Sequence, residues 1–222
     1  MRKPVVLSWS GGKDSALALD ALSKDPTVEV VGLLTSVTRS YDRISVHGVR
    51  RSMLEAQVER LGLPLFDIAL SPGCTNDAYE AAFHTALKEI RHNLPDVAHI
   101  AFGDLFLEDV RAYRERLLAG SGFDPLFPIW GLDTGNLARR FIADGFVARL
   151  VCVDTTQLDA KFAGRVFDEK LLADLPVTVD PCGERGEFHT FVSDGPVFSA
   201  PIPYCVGETV LRDDRFMFCD IE

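Results

Sequence analysis

Ser10-Gly11-Gly12-Lys13-Asp14-Ser15 is the stretch whose residue types and order could do chemistry most directly. Two adjacent glycines let the backbone turn tightly, and a helix starting behind them would aim free N–H groups and the positive end of its dipole at the loop. Such a loop suits an anion. Lys13 adds a charge for phosphate, the Ser10 and Ser15 hydroxyls can hydrogen-bond phosphate oxygens, and Asp14 could bind the Mg2+ that accompanies a nucleotide. The order is not GxxxxGK followed by Ser or Thr, because Asp14 follows the lysine and Leu7 stands where the first glycine belongs. A serine-capped glycine turn would explain the glycines alone, but it does not require Lys, Asp and Ser beside them.

A second concentration lies near the other end, in Asp180-Pro181-Cys182-Gly183-Glu184-Arg185-Gly186-Glu187-Phe188-His189-Thr190-Phe191. Glu184 and Glu187 share a glycine-rich loop, where two carboxylates could bind ammonium, accept a proton from an attacking amine, or hold Mg2+. Solvated loop acids are the alternative. Asp104 follows a strand at its carboxyl end, where open α/β sheets bind ligands, and could equally cap the next helix. His47, with Arg43, Arg50 and Arg51, makes a local basic cluster that could steer a nucleotide or an acidic substrate, or simply open a helix. His189 stands between a structural histidine and a partner of Glu187, Cys182 reads as an inert loop thiol, and Phe127 and Trp130 read as core or interface residues.

The elements that must position these residues alternate. Pro4–Trp9, Val28–Ser36, Pro64–Leu70 and Val97–Phe102 read as strands, with helices over Ala16–Ser23, Val49–Leu61, Asp77–Arg91 and Leu105–Leu118 between and after them. That rhythm implies an α/β class with a doubly wound, Rossmann-like parallel sheet. Gly120–Gly131 concentrates Gly and Pro and suggests a boundary, giving a nucleotide-binding domain over 1–130 and a smaller C-terminal α+β lobe over 131–222. Asp133 can cap a helix through Ala143, and the apolar run Phe146–Val153 reads as the last strand of the first sheet. Beyond Pro176 the extended runs Phe188–Val192, Val197–Ile202 and Arg215–Asp220 read as antiparallel.

Bulk properties bound what the site can serve. The chain has 222 residues, 47% hydrophobic and 25% charged, which is enough for a folded core and far from the signature of disorder. Its net charge of -10 repels polyphosphate backbones, so nucleic acid is a disfavoured partner. No window approaches the roughly 18 apolar residues of a membrane span, and the first residues do not form a secretory leader, so the expected location is cytoplasmic. Five cysteines without a CxxC pair imply neither a disulfide framework nor a zinc ribbon.

SGGKDS directly after a first strand resembles the pyrophosphate-binding loop of the ATP pyrophosphatases, which include NAD synthetase, GMP synthetase and the tRNA-thiolating enzymes. The far motif, Cys182-Gly183-Glu184-Arg185-Gly186-Glu187-Phe188-His189-Thr190 followed by Asp194-Gly195-Pro196, resembles the CGExGEFxT and DGP signature of the diphthine–ammonia ligase family. Gly103-Asp104, Tyr113-Arg114-Glu115 and Pro128-Ile129-Trp130 also resemble family segments. Two departures stand out: Tyr41–Gly48 replaces a Met-Tyr-Gln-Thr type stretch, and His189 replaces an acidic residue.

The resemblance implies a Rossmann-like core of the HUP type that splits ATP between the α and β phosphates. It implies ATP and Mg2+ as cofactors, with Ser10 to Ser15 binding ATP, Asp14 holding the metal, and Glu184, Glu187 and Asp104 as catalytic residues. The partners it implies are a nucleotide, ammonia or another amine, and a carboxylate acceptor, a protein side chain included, with a homo-oligomer among the assemblies open to it. Other readings of the same loop are an ATPase of this family with a different substrate, sulfur transfer to tRNA, and a non-catalytic adenine-nucleotide sensor.

Overall fold

The computed structural model describes residues 2–38, 43–44 and 48–222, so Tyr41, Asp42 and His47 lie outside the described residues. The chain opens with β1 (Lys3–Ser8), α1 (Lys13–Lys24) and β2 (Val28–Thr38). The first strand is a continuous apolar run buried at Val5, Val6 and Leu7, as expected of a strand covered on both faces. There follow β3 (Arg43–Ile44), α2 (Arg51–Leu61), β4 (Leu65–Leu70), α3 (Asn76–Asn93), β5 (His99–Ala101), α4 (Glu108–Leu118) and β6 (Asp124–Leu126). β1 pairs in parallel with β2 and β5, β2 with β4, and β5 with β6, which is the doubly wound parallel arrangement expected from the alternation. β3 adds two antiparallel residues to the far end of β2.

The second half contains α5 (Thr134–Ala143), β7 (Val147–Asp154), α6 (Glu169–Asp174), β8 (Phe188–Asp194), β9 (Val206–Arg212) and β10 (Phe216–Ile221). Asp133 caps α5 as expected, its side chain accepting from the Asn136 N–H. The four strands form a separate antiparallel sheet in the order β8-β7-β10-β9.

Two expectations are corrected here. The run ending at Val153 does not finish the first sheet; β7 is an interior strand of the second, hydrogen-bonded to β8 and β10. Central position and burial make it largely apolar, Arg149 apart, and such a run does not distinguish parallel from antiparallel neighbours. Val197–Ile202 is turn and bend rather than strand, and the strand in that region is Val206–Arg212, which is largely exposed and so lacks a strong apolar signal.

The core has two parts. One packs Phe83, Leu87 and Ile90 of α3 and Leu117 of α4 with Val6, Leu34 and Ile100 of the sheet. The other joins Leu7, Trp9, Leu17 and Leu54 from the first half to Phe141, Phe146, Phe188 and Phe191 from the second. Burying each such large side chain is worth about 1.5–3 kcal/mol.

Candidate active site

The SGGKDS loop is shaped from behind by a buried amide. Gly11 adopts φ 77°, and a Cβ there would lie 2.7 Å from Gln57 Oε1. Glycine is therefore required both by conformation and by space. Gln57, fully buried on α2, accepts from Trp9 Nε1 at 3.0 Å and donates to the Gly11 carbonyl at 3.0 Å and the Val192 carbonyl at 2.7 Å. The Val192 N–H donates in turn to the Gly11 carbonyl at 2.9 Å. Gly12 occupies the N-cap of α1 without supplying a side-chain cap, and the first-turn Lys13 N–H is capped from the far motif by Thr190.

Lys13 and Asp14 begin that helix. The Lys13 backbone N–H donates to Thr190 Oγ1 at 3.0 Å, and its ammonium contacts both Asp14 oxygens at 2.9 and 2.8 Å. The Lys13 side chain is only 3% exposed whereas Asp14 is 30% exposed, so the carboxylate is the member of the pair that reaches open space. Burial by itself would lower the lysine pKa, but the Asp14 carboxylate, with Glu184 further off, outweighs it and holds the ammonium above its ordinary value. Ser15 Oγ donates to the Gly12 carbonyl at 2.8 Å and lies 3.3 Å from Ser10 Oγ.

The C-terminal motif folds into a compact loop before β8. Asp180 accepts from the Cys182 N–H at 2.8 Å and the Thr134 hydroxyl at 2.8 Å. Glu187, expected to act beside Glu184, does not line the cavity. It is 2% exposed, and its two oxygens accept the Asp180 and Arg185 N–H groups at 2.9 Å each. Each oxygen is thus engaged once in holding the loop closed. Glu184 does face the cavity, with Oε1 accepting the Leu105 N–H at 2.8 Å. Burial pushes its pKa up to about 7; the Leu105 N–H opposes the shift and the Asp14 charge adds to it. Cys182 is buried, and its thiol is raised to about 12, chiefly by that burial, so it is inert.

These parts line one cavity of about 310 Å3, together with Asp104 and Arg114. Gly103 allows the approach, since a Cβ there would lie 2.9 Å from the Asp14 carbonyl oxygen. Asp104 Oδ2 and Arg114 Nε are 3.5 Å apart, and both are buried without a hydrogen-bond partner among the described residues. Burial raises the Asp104 pKa against the pull of Arg114. Thr35, within β2, also lines this space, with a buried hydroxyl that has no hydrogen-bond partner among the described residues. His189 lines it as well, whereas Phe127 and Trp130 meet edge to face outside it, under Arg111. Among the described residues no three His, Cys, Asp or Glu side chains gather as a dedicated metal centre.

The family model described as the diphthamide synthase N-terminal domain matches residues 2–125, and the one described as the diphthamide synthase C-terminal domain matches residues 133–221. The chain belongs to the diphthamide synthase family. Among curated relatives, the diphthine–ammonia ligase of Schizosaccharomyces pombe is 24% identical over 209 residues, covering 87% of this chain and 34% of that protein. That of Danio rerio is 25% identical over 226 residues, covering 92% of this chain and 88% of the relative. The human diphthine–ammonia ligase is 28% identical over 144 residues, covering 63% of this chain and 53% of that protein.

In this diphthamide synthase family member the two motifs read from the sequence meet at one cavity, and Asp104 joins them. Sequence reasoning assigns no role to Gln57, Thr35 or Tyr79 and includes Thr190 only as part of the C-terminal signature. The signal for Gln57 was available as an amide on the buried stripe of α2 with Met53 and Leu54. Among the described residues no helix is long and apolar enough to cross a membrane.

Proposed function

We propose that the chain is an ATP-dependent amide-forming ligase whose two halves divide the work as 1–130 for nucleotide binding and 131–222 for the amidation loop. The observation that carries this reading is the meeting of the SGGKDS loop and Glu184 at one cavity, tied by the Lys13 N–H to Thr190 contact. ATP lies with its phosphates over the N-terminal end of α1, held by Ser10, Ser15 and the loop N–H groups other than that of Lys13. An oxygen of the acceptor carboxylate attacks the α-phosphorus, the bond to the β-phosphate oxygen breaks, and pyrophosphate leaves over Lys13. Preorganised donors of this kind are worth about 3 kcal/mol each.

Ammonia then attacks the acyl carbon of the adenylate, and AMP departs with the carboxyl oxygen. Glu184, poised near neutrality, takes the proton released by the incoming nitrogen. Glu187 holds the loop that presents it, and Asp104 bounds the same space. A divalent ion fits as a companion of the nucleotide, with Asp14 as its one protein carboxylate and phosphate oxygens as further ligands, where it would offset charge on the leaving group. Diphthine is the acceptor indicated by the relatives' names, and the free cysteines are in keeping with a cytoplasmic site of action.

The test is incubation with α-labelled ATP, Mg2+, ammonium and a diphthine-bearing acceptor. AMP and pyrophosphate in step with amide, lost in Lys13→Ala, are expected. ADP as the product, or tight ATP binding without turnover, would overturn the ligase reading, and the latter would favour a nucleotide sensor.

A further inference from the structure

The two edge strands of the second sheet meet different fates. At one edge, the Val192 N–H of β8 donates to the Gly11 carbonyl of the nucleotide loop at 2.9 Å. At the other, β9 pairs with β10 on its inner side and with no strand on its outer side among the described residues. It runs for seven residues without a proline or lysine, and leaves Val206 49% and Leu211 45% exposed. A strand edge of this length is a template for pairing with another chain. We propose that β9 joins two copies of this chain, the two β9 strands running antiparallel about a two-fold axis at Val210. The inference stands apart from the ligase reading, since no residue of β9 or β10 lines the reaction cavity.

Charge on the strand selects a second copy as the occupant. The ladder to β10 is regular from Thr209 to Arg212, its register shift falling at the Val206 end. Side chains alternate along a strand, so Glu208, Val210 and Arg212 share one face, and Thr209 and Leu211 the other. A two-fold axis at Val210 sets Glu208 of each copy opposite Arg212 of the other, with Val210 against Val210 between the two pairs. Glu208 and Arg212 are both exposed, and neither side chain is in an ion pair among the described residues. Both charges are therefore available to a facing strand.

The same residues reject the alternatives. Parallel pairing in register would place Glu208 beside Glu208 and Arg212 beside Arg212, which repel. Moving the axis to Leu211 would set Glu208 against Asp214, and moving it to Thr209 would leave both charges opposite valines. On the second face, the axis at Val210 brings Leu211 against the Thr209 methyl of the other copy. That contact extends the apolar surface Leu211 makes with its neighbour Met217 on β10. Main-chain hydrogen bonds along the joined edge supply affinity, and the side chains fix the register. The two four-stranded sheets become one continuous sheet.

Sedimentation velocity of the full chain without nucleotide, up to a few hundred micromolar, reads the monomer–dimer equilibrium. Wild type is expected to dimerise. Glu208→Arg and Arg212→Glu each set like charges across the axis and are expected to weaken the dimer at least about tenfold. Both positions are exposed, so circular dichroism and melting of the variants should match wild type. Combined in one chain, the two reversals are expected to restore the dimer. The two single variants, mixed, are expected to form a mixed dimer, because each then faces the charge it lacks. A wild type that stays monomeric over the whole range would overturn the proposal, as would a dimer indifferent to the reversals. Weakening by both single variants without recovery in the double variant or the mixture would overturn the axis at Val210.

Discussion

The backbone N–H of Lys13 donates to the Thr190 hydroxyl oxygen at 3.0 Å, across 177 residues of sequence. A first-turn amide of the phosphate loop is thus satisfied by the motif that carries Glu184, and each motif is incomplete without the other. A buried amide left without its partner costs about 1–3 kcal/mol, so the contact fixes the loop to within a narrow range of positions.

Thr190→Val keeps the shape of the side chain and removes the acceptor. The apparent affinity for ATP, measured by calorimetry, is expected to fall about tenfold, as about 1.4 kcal/mol implies. Unchanged affinity would mean that the loop holds its position without the second half.

Glu184→Gln separates two effects of one buried carboxyl. Its pKa rises from 4.5 to about 7, first because burial disfavours the charge. The stability linked to that shift is therefore present below the unfolded value and is lost as pH rises through about 7. Thermal melts are expected to show wild type falling relative to Glu184→Gln between these pH values, with a constant gap at higher pH. Amide formation should rise with pH along a limb near 7 in wild type, and Glu184→Gln should lose that limb and at least about a hundredfold in rate. A pH profile unchanged by the substitution would remove Glu184 from proton transfer.

Gln57→Leu tests the amide behind the loop. It strands the Trp9 N–H in a dry interior, takes the amide donor from the Val192 carbonyl, and leaves the Gly11 carbonyl with the Val192 N–H alone. Urea titration is expected to show a loss of about 3 kcal/mol or more, given the usual penalty for each unsatisfied group. A loss below about 1 kcal/mol would mean that these groups find new partners.

Asp220 ties the last strand to the first half, accepting from Arg43 at 2.8 Å and from Arg50 at 2.5 Å. Burial opposes its ionisation, but the two arginines win and hold its pKa down at about 2. A depressed carboxylate stabilises above its ordinary value, and that stability is lost as pH falls toward about 2. Asp220→Asn is expected to reduce stability by about 1 kcal/mol at pH 7, a figure kept small because Arg50 is 40% exposed, and the gap should close progressively below pH 4. A gap independent of pH would assign the effect to packing.

Much of the architecture was legible because it depends on local patterning. The SGGKDS loop lies between an apolar strand and a helix, and Asp133 announced α5 by its capping chemistry. What escaped was set by tertiary context. Phe146–Val153 gives the same apolar run whether its neighbours are parallel or antiparallel, so the sheet it joins could not be read. Glu184 and Glu187 look alike in sequence and differ only in what they meet: one faces the cavity, while the other spends both oxygens on its own loop.

The bond from the Val192 N–H to the Gly11 carbonyl, and the shared core behind it, bear on how the molecule can be taken apart. A piece ending near residue 130 would carry Leu17, Leu54 and Trp9 without the phenylalanines that cover them. The remainder would carry Phe146, Phe188 and Phe191 without the helix they pack on. Neither half is a transplantable cassette. Expressed separately and mixed, they should instead recombine as complementing fragments, with the nucleotide loop assembling only when the pieces rejoin.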